Sequence, residues 1–119
     1  MKNPAQLLED SLLIIWNNRN SVERLQAMQQ IYHQDIQFFE SDSGNAIIGY
    51  EAINNLITGL QSEWATEFSF QLSKPSQTNH DVQIASWTLG ISGEQPVASG
   101  MDVAIVENGK IKALHLYLD

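Results

Sequence analysis

The 119-residue sequence has no cysteine, three prolines and only six lysines and arginines against fourteen acidic residues. Without cysteine there is no disulfide, thiol nucleophile, iron–sulfur cluster or Cys-based zinc site. The shortage of basic residues excludes nucleic acid as a partner, because phosphate binding by counterion release needs a basic stripe. Arg19 and Arg24 are the only arginines, the four lysines are scattered, and the formal charge is −8. No apolar run approaches the ~18 residues of a membrane span, so no membrane partner is expected. Glu9 and Asp10 interrupt the amino-terminal stretch, and Leu12-Leu13-Ile14-Ile15 is too short for the apolar core of a signal peptide. His33, His80 and His115 lack ligand spacing, and there is no phosphate loop, nucleophile elbow or Ser/His/Asp arrangement. Neither a metal nor a cofactor is expected. The reading is an acidic, soluble, cytoplasmic single domain over residues 1–119.

What is present is a change of period half-way along the chain. Asn3-Pro4 reads as the start of a first helix, carrying Leu8, Leu12 and Ile15, with Leu7 and Trp16 widening its apolar face. Ser21 caps a second helix with Val22, Leu25, Met28, Ile31 and Tyr32 as its stripe, while Glu23, Arg24 and Gln26 face water. His33-Gln34-Asp35 ends it, and Ile36 to Glu40 is a strand. Ser41 to Asn45 is a loop, and Ala46–Ile48 can form a short strand. Gly49 leads into a third helix with Ile53, Leu56, Ile57, Leu60 and Trp64 at the 3.6 period.

From Glu67 onward the period is two. Phe68, Phe70 and Leu72 alternate with polar residues, and Pro75 and Asn79-His80-Asp81 punctuate. Strands follow over 82–91, 97–106 and 110–118, the last two joined by Asn108-Gly109, a type I′ hairpin signal. Helices segregated from hairpin-linked strands predict an α+β fold: three helices packed on a curved, mainly antiparallel sheet, enclosing a cone-shaped space. Small molecules commonly occupy such spaces.

Trp16-Asn17-Asn18-Arg19, Tyr32-x-x-Asp35 and Gly49-x-x-x-Ile53 resemble the nuclear transport factor 2-like superfamily. So do Trp87-Thr88-Leu89-Gly90, Ser99-Gly100-Met101-Asp102-Val103, Asn108-Gly109-Lys110-Ile111 and Tyr117-Leu118-Asp119. Within it the chain is similar to small bacterial SnoaL-like proteins, a group that includes polyketide cyclases and ketosteroid isomerase. The resemblance spans nearly the whole chain and implies a cone-shaped α+β barrel of the cystatin-like kind. Ketosteroid isomerase combines a carboxylate base with a Tyr and a protonated Asp. Its base lies eight residues past the tyrosine that ends its second helix, which from Tyr32 falls on Glu40. Its protonated Asp corresponds to Asp102. Its oxyanion-hole Tyr falls at Trp16, whose indole N–H donates but cannot accept.

A purely structural or protein-partner domain is one reading, and two others give the cavity a role. One is a cofactor-free, isomerase- or cyclase-type enzyme that moves a proton on a small hydrophobic carbonyl compound, with Glu40 and Asp102 as its acid–base pair. The other is a homodimeric module that binds a hydrophobic small molecule without catalysis. Asp102 interrupts an otherwise apolar or small strand, so it must be hydrogen-bonded, paired or neutral. Trp16, Tyr32, Phe38, Trp87, Leu89 and Leu118 are candidate cavity walls, and His80 a candidate cap at its mouth. Arg19 either binds an anionic ligand or pairs with Asp102 or a terminal carboxylate. Apolar residues on both faces of the last strands predict a homodimer through the outer sheet face.

Overall fold

The computed structural model describes residues 5–40 and 44–119. The expected Asn3-Pro4 helix start, and residues 41–43 of the expected loop, lie outside the described residues. Helix α1 (Gln6–Asp10) runs directly into a π-helical segment, Ser11–Trp16. Leu8, Leu12, Ile15 and Trp16 are buried along it. A π-helix closes its hydrogen bonds over five residues instead of four. Ser11 and Trp16, one such turn apart, therefore share a face.

Helix α2 (Ser21–Ile31) is capped by Asn20, whose side chain accepts from the Val22 and Glu23 N–H groups. The expected cap, Ser21, is instead the first helical residue. The helix also stops earlier than its apolar stripe suggests. Tyr32 already begins β1 (Tyr32–Phe39), which pairs in parallel with the final strand at Ile111. That partner lies nearly eighty positions away, and its pairing overrides the local helical pattern.

Arg24 departs furthest from expectation. It is 1% exposed, not solvated. Its guanidinium donates from Nε to Asn54 Oδ1 at 2.6 Å, and from Nη1 to Gln61 Oε1 at 2.8 Å and Asn18 O at 2.7 Å. Thr58 accepts another bond. Burial holds its pKa below the ordinary arginine value, and every partner is neutral. The network ties α2 to α3 (Tyr50–Gln61), whose Ile53 and Ile57 enter the core.

Strand β2 (Ile47–Ile48) pairs antiparallel with β1, and Gly49, at φ +91°, turns the chain into α3. Then come β3 (Phe68–Leu72), β4 (Gln77–Asn79), β5 (Val82–Ile91), β6 (Ala98–Glu107) and β7 (Lys110–Leu118). The sheet runs β2-β1-β7-β6-β5-β3, with β4 also on β5. Among the described residues only the β1–β7 pair is parallel. Strand β4 occupies a stretch read from sequence as punctuation; its three exposed residues carry no alternation signal. Asn108 and Gly109 both take positive φ, as the hairpin requires. Register breaks at Tyr32/Gln37 and Ile105/Val106 bend the sheet. Trp87, Leu89, Asp102, Ala104 and Leu114 face the helices. Among the described residues no helix is long and apolar enough to cross a membrane.

Candidate functional site

Between the helices and the concave sheet face lies a cavity of about 320 Å³. The π-helical segment contributes Leu12 and Trp16, the end of β1 Phe38 and Glu40, and the end of α3 with the residues after it Leu60 and Trp64. The sheet supplies Phe68, Phe70, Trp87, Leu89, Ala98, Asp102, Leu116 and Leu118, with Val97 just before β6. Phe70 sits edge-to-face against Trp16, Trp64 and Trp87 at centroid distances of 6.2, 5.7 and 5.1 Å. Such pairs favour steep angles because the positive ring edge meets the negative face. Val97 and Leu118, both more than 60% exposed, stand at the open side.

Asp102 is the buried polar group of this space, 7% exposed. Its Oδ1 accepts from Trp87 Nε1 at 3.0 Å. Its Oδ2 has no hydrogen-bond partner among the described residues, yet no buried side-chain oxygen there is sealed and unsatisfied. Oδ2 therefore opens on the cavity. Burial disfavours the charged carboxylate and pushes its pKa up to about 7, while the Trp87 bond pulls the other way. Near neutral pH the group can both give and take a proton.

Gly100 makes the Trp87 bond possible. It stands opposite Trp87 in the β5–β6 register. A Cβ at Gly100 would lie 2.7 Å from Trp87 Cζ2 and 2.6 Å from Tyr117 O. Only glycine lets the indole lie across β6 and reach Asp102, two residues along the same face.

The sequence matches no family model and no curated protein. Solved structures do match. A SnoaL-like family protein from Agrobacterium tumefaciens, named as an isomerase, superposes with a TM-score of 0.86 over 100% of this chain and 99% of its own, at 19% identity. The chain has the SnoaL-like, nuclear transport factor 2-like α+β fold. A SnoaL-like polyketide cyclase from Jannaschia shares it with a TM-score of 0.76 at 9% identity, over 96% of this chain and 83% of that one. So does a Catenulispora acidiphila protein of ketosteroid isomerase-like fold, solved with trimethylamine. Its TM-score is 0.71 at 13% identity, over 96% of this chain and 85% of its own. At such identities the likeness is one of fold, and activity has to be argued from the site.

Within this SnoaL-like fold, Trp16, Phe38, Glu40, Trp87, Leu89, Asp102 and Leu118 all border one cavity. Three other candidates do not. Tyr32 lies behind the wall, fully buried, its hydroxyl 2.5 Å from Ser11 Oγ and accepting from Trp16 Nε1 at 3.2 Å. Burial, together with the nearby Asp102 charge, pushes its pKa up to about 12 against the pull of those two bonds. The Trp16 N–H is thereby taken and does not point to a ligand. Arg19 donates to Gln61 O at 3.2 Å and Ala65 O at 2.9 Å. It caps the carboxy-terminal end of α3, where unpaired carbonyls and the helix dipole favour a cation. It meets neither the cavity nor Asp102. His80 occupies the β4–β5 turn at φ +53° and is not a wall residue.

Trp64, Phe68 and Phe70 were legible as apolar positions but not as cavity walls, because only the sheet's curvature brings them to Trp87. Among the described residues no group of three or more His, Asp or Glu converges as metal ligands. On the outer face Phe39 stacks on His115 at 4.6 Å, beside a groove that shares Glu40, Leu116 and Leu118 with the cavity rim.

Proposed function

We propose that the cavity is the site of a cofactor-free enzyme that moves a proton on a small hydrophobic carbonyl compound. The observation that carries this reading is the free Oδ2 of Asp102 in an apolar cavity that also has Glu40 at its rim. Glu40 takes the proton from the carbon beside the carbonyl: the C–H bond breaks and an O–H bond forms on the carboxylate. The electron pair moves to the carbonyl oxygen, which Asp102, in its protonated form, meets with an O–H donor. Glu40 then returns the proton to the same or a conjugated carbon. The Trp16 and Trp87 N–H groups are already engaged, which leaves Asp102 as the donor beside them. The substrate that fits is neutral: two carboxyl groups and no wall cation would repel an anion.

The test is proton–deuterium exchange at the activated carbon of 2-tetralone in heavy water, followed by NMR. The protein should accelerate exchange over buffer, and Glu40→Gln should remove the acceleration. If 2-tetralone bound with no acceleration, the enzymatic reading would give way to the non-catalytic binding module.

A further inference from the structure

We infer that the same cavity binds a second class of ligand, a hydrophobic ammonium ion of about ten non-hydrogen atoms, held between the aromatic walls and the free oxygen of Asp102. This goes beyond the proton-transfer reading, since it uses the opposite protonation state of Asp102.

The argument starts from what the walls can offer. The indole N–H of Trp16 is spent on Tyr32 and that of Trp87 on Asp102 Oδ1. Among the described wall residues there is no Lys, Arg or His. What remains are alkyl groups, the π-systems of three Trp and three Phe, the Trp64 N–H and carboxylate oxygens. Once Asp102 has lost its proton, the charge on the described lining is negative only. Aromatic rings attract a cation through their quadrupole, and aromatic cages are the usual receptors for quaternary ammonium groups. A protein charge of −8 favours the approach of a cation as well.

Size narrows the class. At roughly 30 Å³ per water-sized group, 320 Å³ holds about eleven non-hydrogen atoms. Benzyltrimethylammonium has that size, and its charge is permanent, so only the protein titrates. Neopentylbenzene is its neutral isostere. Among the described residues the charged and titratable groups around Asp102 are the Tyr32 phenol behind it, from β1, and Glu40 at the rim, just past the end of β1. From β5 it meets the Trp87 donor, and from β7 the apolar Leu116 stands opposite it.

All three tryptophans of the chain line the cavity, so their fluorescence reports occupancy directly. Titrations of both probes at pH ~5.5 and ~8.5 decide the matter. The ammonium should bind about tenfold or more tighter at the higher pH, following ionisation of a carboxyl with a pKa of about 7. The neutral isostere should bind equally at both. In Asp102→Asn the pH dependence should disappear while neopentylbenzene still binds; if that variant does not fold, the two-probe contrast in the wild-type protein stands alone. An ammonium affinity flat across this range, or no tighter than the isostere at pH ~8.5, would overturn the inference. Failure of 2-tetralone exchange with intact ammonium binding would count against the catalytic reading alone.

Discussion

Replacing Asp102 with Asn should stabilise the protein at neutral pH while removing the acid–base group. Asp102 rises from an ordinary 3.8 to about 7 in the folded chain, chiefly because burial disfavours its charge. The folded protein thus holds a proton that the unfolded chain releases above about pH 4. Stability from this group is complete below that point, falls as the pH rises, and is lost once the pH passes about 7. Each pH unit is worth about 1.4 kcal/mol, so the difference of roughly three units amounts to about 4 kcal/mol. Asn carries no charge at any pH and keeps an acceptor for Trp87 Nε1. Urea unfolding of both proteins from pH ~3.5 to ~8.5 measures the effect. The two should differ little at the acid end, with the variant gaining steadily up to about 4 kcal/mol by pH ~8. A difference that stayed flat would mean that Asp102 is already ionised in the folded protein, and the reasoning from burial would be wrong.

Gly100→Ala should displace the Trp87 ring and break its bond to Asp102, since the new Cβ would meet the ring at 2.7 Å. Near-UV circular dichroism should change, and stability should fall by about 1–3 kcal/mol as for other overpacked sites. Arg24→Leu should cost about 3–5 kcal/mol in urea unfolding, because Asn54, Gln61 and the Asn18 carbonyl lose a buried donor; an effect below about 1 kcal/mol would show that water replaces it. On the outer sheet face Ile84, Met101, Val103 and Ile105 are half-buried and Tyr117 is 56% exposed. A homodimer through this face is proposed, and light scattering should give about twice 13.3 kDa at micromolar concentration.

Local periodicity determined most of the architecture before any contact was known. The three helices, the hairpin at Asn108-Gly109 and strands β5 to β7 follow from apolar spacing and turn chemistry, which act between near neighbours. Alternation also put Asp102 and Ala104 on the helix-facing side, and Phe38 with Glu40 on one face. Tertiary structure decided matters that depend on distant partners. Tyr32 joined β1 because β7 offers it a parallel ladder, and β4 formed because β5 has a free edge over Val82–Ile84. Arg24 is buried because four neutral acceptors from the α1–α2 connection and α3 converge on it. The π-helical turn brought Ser11 and Trp16 together on the Tyr32 hydroxyl and took the Trp16 donor out of the cavity. An aspartate's place in a strand pattern says which way it faces. What it faces was settled by Gly100, Trp87 and the curvature of the sheet, which leave one oxygen of Asp102 bonded and the other open.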